Sequence, residues 1–255
     1  MKKLLLIIFV FNLLMISMVL SADPKGDEIA RKHYDLPEEN DSYSQSTMIL
    51  IDSRGNKKVR KVVMFSKKTD VGTNSMVEFV EPADVKGSKF LTIGYKDGDD
   101  DQRLYLPALG KIRKISSSNK DGSFMGSDLN YFDMEDHDYN DYLYKYIKEE
   151  MYEDRDCFVL EMISKDENAP YSKQLAWIAK ENYFIYKIEC YSKKNNQLEK
   201  TIVFLNVSSI GGILTAKRTV VENILKNHKT LLQIDEKKNN IGVKDSIFSI
   251  QNLNK

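Results

Sequence analysis

Short strand-like runs, repeated at regular spacing and separated by turn signals, constrain the fold of this chain more than any other feature. They are rich in Val, Ile, Phe and Tyr, and they cover residues 42–115 and again 157–236. Between the first two runs, residues 53–56 read SRGN, which is typical of a hairpin turn. Runs of this kind predict an antiparallel all-β sandwich or barrel, and they argue against a parallel α/β sheet.

Two segments depart from the strand pattern. Residues 27–34 predict a short N-terminal helix that ends before Pro37. A second, amphipathic helix with a tyrosine-rich face is predicted by the i, i+3, i+4, i+7, i+8 spacing of Tyr139, Tyr142, Leu143, Tyr146 and Ile147. We expect the second helix to lie over the apolar concave face of the sheet.

The first 22 residues have the pattern of a secretory signal. Lys2 and Lys3 precede an apolar run from 4 to 20, and the small residues Ser21 and Ala22 suit a cleavage site. An uncleaved membrane anchor is the alternative, because the apolar run is long for a signal core. Asn12 interrupts the run, so we expect an exported protein that is cleaved near Ala22.

Charge and length limit the class of binding partner and the number of domains. The chain has 38 basic and 38 acidic residues, and removal of the signal leaves a net charge near −2. Nothing in this balance indicates nucleic-acid binding. Residues 23–255 contain no Pro- or Gly-rich linker and no repeat of fixed period, so we expect a single domain.

The two cysteines test the predicted sheet. Disulfides are common in exported proteins. However, alternation places Cys157 opposite the face of Phe158, Leu160 and Met162, whereas Cys190 lies on the apolar face of its own strand. Side chains on opposite faces cannot reach each other, so we expect free thiols.

The sequence offers little that is typical of catalysis. His33, His137 and His228 have no metal or nucleophile spacing, and we expect them in loops or at the surface. Acidic residues cluster at 97–101 and 133–141. Such clusters can bind calcium, but the spacing matches no known loop, and we interpret them as solvated loops. We therefore expect no enzyme, no metal and no cofactor.

The stretch from 104 to 135 carries a resemblance. It reads LYLPALGKIRKISSSNKDGSFMGSDLNYFDME and is similar to the signature of the periplasmic outer-membrane lipoprotein-sorting family, which is LolA-like. Weaker similarity extends upstream to residues 81–91 and downstream to 245–253. One departure is Arg103, where that family commonly has an aromatic residue.

The resemblance implies a fold and a kind of site. The fold is an incomplete, strongly curved antiparallel β-barrel (LolA/LolB-like) whose helices cover an apolar cavity. Alternation alone does not distinguish a filled core from an open cavity, and the resemblance favours the cavity. The expected ligand-binding residues combine inward strand positions, the loop pair and the tyrosine face: Phe65, Phe79, Leu104, Leu106, Phe124, Met125, Tyr142, Tyr146, Trp177, Phe184 and Tyr186.

The basic run Lys111, Arg113 and Lys114 has two interpretations. It is either an edge-strand charge that blocks aggregation, or a contact for lipid phosphate or an acidic partner at the cavity mouth.

The resulting hypothesis is a monomeric periplasmic carrier. It shields the acyl chains of a lipoprotein or lipid on the way from an inner-membrane transporter to an outer-membrane acceptor. In this hypothesis helix 139–147 and loop 116–126, with the Gly-bracketed pair Phe124 and Met125, move as a lid. The first alternative is a non-carrier module of the same fold that senses lipid or assists a transporter. The second is an enzyme that acts on lipids.

Overall fold

The structure is a computed structural model, and it describes residues 23–254. The predicted signal peptide, residues 1–22, lies outside the described residues.

The strand pattern of the sequence yields thirteen strands in the described residues, and the mainly-β prediction is confirmed. They are β1 (Asp41–Ile51), β2 (Lys57–Lys68), β3 (Thr73–Glu81), β4 (Lys89–Ile93), β5 (Asp101–Leu106), β6 (Lys111–Lys114), β7 (Tyr142–Tyr152), β8 (Arg155–Ser164), β9 (Tyr171–Ala179), β10 (Ile185–Ser192), β11 (Leu198–Ile210), β12 (Ile213–Asn223) and β13 (His228–Asn239). Two helices accompany them, α1 (Pro24–Tyr34) and α2 (Ile250–Leu253).

All thirteen strands belong to one antiparallel sheet, in the order β6-β5-β4-β3-β2-β1-β13-β12-β11-β10-β9-β8-β7. Most neighbours are joined by short hairpins, and the pairing of β1 with β13 joins the first half to the second. The sheet is open and curled, with β6 and β7 as its two edges. Residues 115–141 connect these edges and run across the concave side.

The predicted helix at 139–147 is wrong. Residues Tyr139–Asp141 form a single 3-10 turn, and Tyr142 begins β7. Tyrosines at 142, 144 and 146 also alternate with Leu143 and Lys145, so the segment satisfies the strand period as well as the helical one. Pairing with β8 and burial of the tyrosines beneath α1 decide in favour of the strand.

The predicted N-terminal helix is present as α1, and it packs on edge strand β7. Asp23 caps the helix through its Oδ1, which accepts from the backbone N–H groups of Lys25 and Gly26, each at 3.1 Å. Its Oδ2 accepts from the backbone N–H of Tyr146 at 2.7 Å. The contact is so close that a Cβ on Gly26 would lie 2.9 Å from that same nitrogen, which explains the glycine. Ile29 and Ala30, on the apolar stripe of the helix, are buried.

The concave face changes character along the strands. On β1 it carries Ser42, Ser44 and Ser46 and then Met48 and Leu50. On β2 the same face carries Val62 and Met64 and then Ser66. One half of the concavity is therefore apolar, and the half towards the other strand ends is rich in hydroxyl groups.

Three residues expected to point inward lie on the convex face. Phe65 points outward because the run VVMF in β2 does not alternate, and pairing with β1 turns Val62 and Met64 inward. Trp177 lies in another continuous apolar run and packs outside with Val159. Tyr186 packs in the same convex cluster as Trp177, because the register of β10 against β9 shifts between Ile185 and Lys187.

Cys157 and Cys190 are free and buried, as expected. Cys157 packs in the convex cluster with Trp177, whereas Cys190 packs in a separate cluster with Phe132. Burial raises the pKa of the Cys190 thiol to about 12, so the thiolate is disfavoured there.

The C-terminal segment covers the convex face of β3 and β4. Phe248 and Leu253 are buried against Met76 and Leu91. Lys67 holds the segment with Nζ, which contacts Asp245 Oδ1 at 2.5 Å. The segment therefore completes a second apolar layer outside the sheet.

We predict that Leu253→Ala lowers the free energy of unfolding by about 2–5 kcal/mol, because it leaves a cavity under α2. The matched control is Ile250→Ala on the same helix, whose side chain is exposed. Urea unfolding followed by fluorescence measures both. Equal stability of the two variants would contradict the placement of Leu253.

Candidate functional site

Residues 116–135, here called the plug segment, fill the apolar half of the concavity. Phe124 is 1% exposed, and its ring centre lies 5.0 Å from that of Phe90 and 6.0 Å from that of Phe79. Tyr131 packs on Phe90 at 5.7 Å. Rings at these separations form a packed aromatic cluster rather than an open cavity.

The tip of the plug segment has a constrained backbone. Met125 has φ 51° and Gly126 has φ 75°, so the chain makes a left-handed turn behind Phe124. The backbone oxygen of Met125 accepts a 2.5 Å hydrogen bond from Nη1 of Arg60 on β2. The turn directs Phe124 inward and leaves Met125 partly buried against the same cluster.

Asp128 forms the first anchor of the plug segment. Its Oδ2 accepts from Thr230 Oγ1 at 2.7 Å and contacts His228 Nδ1 at 2.7 Å. Its backbone N–H donates to Thr230 Oγ1 at 2.9 Å. These bonds join the segment to β13 at a point where the Asp128 side chain is almost fully buried.

A buried ion pair forms the second anchor. Lys200 on β11, with 2% of its side chain exposed, pairs with Asp133 Oδ2 and donates to the backbone oxygen of Asp128 at 3.0 Å. Tyr171 donates to the other oxygen of Asp133 at 2.8 Å. Because every polar atom here has a partner, the burial of these charges is compensated. The 133–141 cluster is therefore not simply a solvated loop.

Lys120 links the two flanks of the open sheet. Its Nζ lies 2.8 Å from Asp99 Oδ1 in the β4–β5 loop and 2.6 Å from Asp166 Oδ2 in the β8–β9 loop. It also lies 3.0 Å from Glu135 Oε1. Burial raises the pKa of Glu135 to about 7, and burial likewise raises the pKa of neighbouring Asp100 to about 6.

A cavity of about 450 Å³ lies in the other half of the concavity, beside the C-terminal end of α1. Its size falls in the usual range for small-molecule sites. The lining combines apolar, hydroxyl and imidazole groups: Tyr34, Leu36, Pro37, Phe184, Ile213 and Leu214 with Ser66, Thr73, His33 and His137, together with Glu38, Glu39, Lys68 and Asp136.

The two histidines of the cavity are held neutral. Burial lowers the pKa of both. His33 Nδ1 contacts the backbone oxygen of Tyr183 at 2.9 Å, and His137 Nε2 contacts that of Phe132 at 2.9 Å. Each ring therefore carries its proton on the bonded nitrogen. His137 lies in a loop, as expected, whereas His33 lies in α1 and His228 begins β13. All three are partly buried and hydrogen bonded.

The expected ligand-binding residues divide into four groups. Phe79, Leu104, Leu106, Phe124 and Met125 meet in the cluster around the plug segment. Tyr142 and Tyr146 pack beneath α1. Phe65, Trp177 and Tyr186 lie on the convex face. Phe184 lines the cavity and also packs against the convex cluster of Trp177 and Tyr186.

The basic run lies on edge strand β6. Arg113 and Lys111 pair with Leu104 and Leu106 on the concave side of the sheet. Lys114 faces the other way, 3.6 Å from Asp101. Arg103, the departure from the family pattern, also pairs with Asp101, at 2.9 Å.

Several cavity residues were missed from the sequence. Pro37 was interpreted only as a helix stop, and Leu36 was not singled out. Ile213 and Leu214 belong to a strand with no distinctive motif. Among these missed residues, only Tyr34 has a feature visible in the sequence. It is an aromatic residue at the end of the apolar stripe of α1.

Two further results bear on function. Within residues 23–254, no three or more His, Cys, Asp or Glu side chains are grouped so as to hold a metal ion. In the same part of the chain, no helix has the length and hydropathy to cross a membrane.

Comparison with solved structures defines a fold class. A LolA superfamily protein from Nitrosomonas europaea superposes with a TM-score of 0.71 at 22% identity, over 89% of this chain and 98% of its own. At that identity the likeness concerns the fold alone, and the fold is LolA-like.

Nearer relatives define the family. An outer membrane lipoprotein-sorting protein domain from Vibrio parahaemolyticus is 32% identical, with a TM-score of 0.87 over 91% of this chain and 99% of its own. A DUF1329 family protein from Desulfovibrio piger is 30% identical, with a TM-score of 0.86 over 90% and 98%. A family model described as an uncharacterized protein matches residues 72–255. No curated protein matches. The chain belongs to the family of these outer-membrane lipoprotein-sorting-like proteins.

We predict that Glu135 makes stability depend on pH. Its pKa is raised on folding, so its stabilising contribution is complete below about pH 4.5 and is lost as pH rises through about 7. Wild type should therefore lose stability relative to Glu135→Gln between pH 4.5 and 7. Urea unfolding of both proteins across this range measures the difference, and a constant difference would contradict the burial of Glu135.

Proposed function

We propose that this protein is a carrier of an acyl-bearing amphiphile, either a lipoprotein or a lipid. The observation that supports this most directly is the 450 Å³ cavity inside the curl of the sheet, beside α1. The second support is the family, whose relative from Vibrio parahaemolyticus is described as an outer membrane lipoprotein-sorting domain.

The lining of the cavity suits a molecule with two unlike parts. Phe184, Ile213 and Leu214 offer an apolar wall to a hydrocarbon chain. Each CH₂ group that leaves water there gains about 0.8 kcal/mol. Ser66 and Thr73 on the opposite wall can hydrogen bond to a carbonyl or hydroxyl group. The acyl chain would therefore lie along β10 and β12, with the polar part towards β2 and β3.

In this carrier the plug segment is held in a fixed position on the concave face. Asp128 and Asp133 are bonded to β13 and β11, so residues 127–135 cannot move without breaking buried polar contacts. In this account cargo enters beside α1, where one helix contacts the sheet, rather than by movement of the plug segment. Loop 116–126 and Phe124 then have a structural role, instead of the role of a lid.

The proposed carrier works between two membranes. We place it in the periplasm, with residues 1–22 as its signal, an inner-membrane transporter as donor and an outer-membrane acceptor. The carrier acts as a monomer and makes or breaks no covalent bond. The neutral histidines His33 and His137 are assigned to packing and hydrogen bonding rather than catalysis.

One observation favours a second function, a non-carrier module that senses lipid or assists a transporter. The apolar half of the concavity is already filled by Phe124 and Tyr131. A site of 450 Å³ then accommodates part of a lipid, which is enough for sensing.

An environment-sensitive fatty-acid probe tests the cavity. We predict that Phe184→Glu weakens probe binding at least tenfold, about 1.4 kcal/mol, because it puts a carboxylate in the apolar wall. Unlabelled fatty acid should displace the probe from wild type.

The matched control is Met151→Glu, an exposed residue outside the cavity, which should bind the probe like wild type. Equal affinity of Phe184→Glu and Met151→Glu would exclude this cavity as the acyl site. Binding without transfer to acceptor vesicles would favour the sensing module.

A further inference from the structure

Four segments at one set of strand ends form what we call the hairpin rim: residues 52–60, 81–88, 107–113 and 222–229. The β1–β2 and β12–β13 turns are neighbours, since Ile51 pairs with both Lys57 and Lys229. The other two turns also touch, since a Cβ on Gly87 would lie 3.3 Å from Cγ of Pro107. These turns therefore line one continuous end of the sheet.

The hairpin rim exposes large apolar side chains at separate turns. Val59 is 50% exposed, Leu109 66%, Ile224 48% and Leu225 53%. Basic residues stand beside them: Lys58 and Arg60 flank Val59, Lys111 follows Leu109, and Lys226 follows Leu225.

Charge is strongly polarised along the molecule. The hairpin rim holds nine basic and four acidic residues, a net charge of +5 in a chain whose net charge is zero. The loop at the other strand ends, residues 94–101, together with residues 133–141, holds nine acidic residues and one basic residue. An anionic surface would therefore attract the rim and repel the opposite end.

We propose that the hairpin rim docks on a membrane surface that contains anionic phospholipid. Basic side chains contact the headgroup phosphates, while Val59, Leu109, Ile224 and Leu225 enter the boundary between headgroups and acyl chains. This occupant fits better than an acidic protein, because the apolar groups stand on separate turns and form no single patch. A fluid interface accommodates separate apolar tips, whereas a protein partner needs a matching rigid surface.

Vesicle co-sedimentation tests the proposal on the exported protein. Wild type should bind vesicles of phosphatidylcholine with phosphatidylglycerol more strongly than phosphatidylcholine alone, and added salt should weaken the binding. The triple variant Lys57→Gln, Lys58→Gln, Lys111→Gln should bind anionic vesicles about a hundredfold less, from about fivefold per basic residue. The double variant Leu109→Ser, Leu225→Ser should lose binding to both vesicle types.

Matched controls change the same residue types elsewhere. Lys145→Gln, Lys217→Gln, Lys244→Gln removes three exposed lysines outside the rim, and Val71→Ser, Ile241→Ser removes two exposed apolar groups at the other strand ends. Both should bind like wild type, and all variants should keep the thermal midpoint of wild type because the changed side chains are exposed.

Wild type that fails to bind anionic vesicles, or rim variants that bind like the controls, would overturn the proposal. Rim variants that keep vesicle binding but lose an acidic protein partner would also overturn it. The fatty-acid probe assay contains no membrane, so failure of docking and failure of the carrier function are distinguishable.

Discussion

The buried ion pair between Lys200 and Asp133 is the interaction on which the rest of the structure depends. A thirteen-stranded open sheet has a large concave face, and half of that face is apolar. Asp133 and Asp128 are paired beneath the plug segment and hold it over this half. If one partner were removed, the remaining buried charge would be strongly destabilising. The pair thus keeps a ligand out of the apolar half, whereas the cavity beside α1 is open to one.

This arrangement connects the fold to the proposed cargo. The plug segment fills the apolar half of the concavity, so a ligand is left with the cavity beside α1. That cavity has both apolar and polar walls, with Phe184 and Leu214 on one side and the hydroxyl groups of Ser66 and Thr73 on the other. A purely hydrocarbon ligand would leave those hydroxyl groups unpaired, at a cost in free energy. An amphiphile can place its hydrocarbon chain against the apolar wall and its polar group within hydrogen-bonding reach of the hydroxyl groups.

The sequence predicts the sheet well because strand alternation and turn residues are local signals. The prediction fails where the apolar residues fit both the helical and the strand period, or where they fit neither. The tyrosines of β7 fit both a helix and a strand, and only pairing with β8 decides. The runs around Phe65 and Trp177 do not alternate, so their faces depend on register with neighbours. The roles of Lys120 and Lys200 are invisible in the sequence, because their partners lie far along the chain.

Native mass spectrometry of the exported protein, with extraction and identification of bound lipid, tests the central claim most directly. The account predicts one acyl-bearing molecule per protein chain, released by Phe184→Glu and retained by Met151→Glu. Protein that carries no lipid after export, or lipid that survives Phe184→Glu, would contradict it.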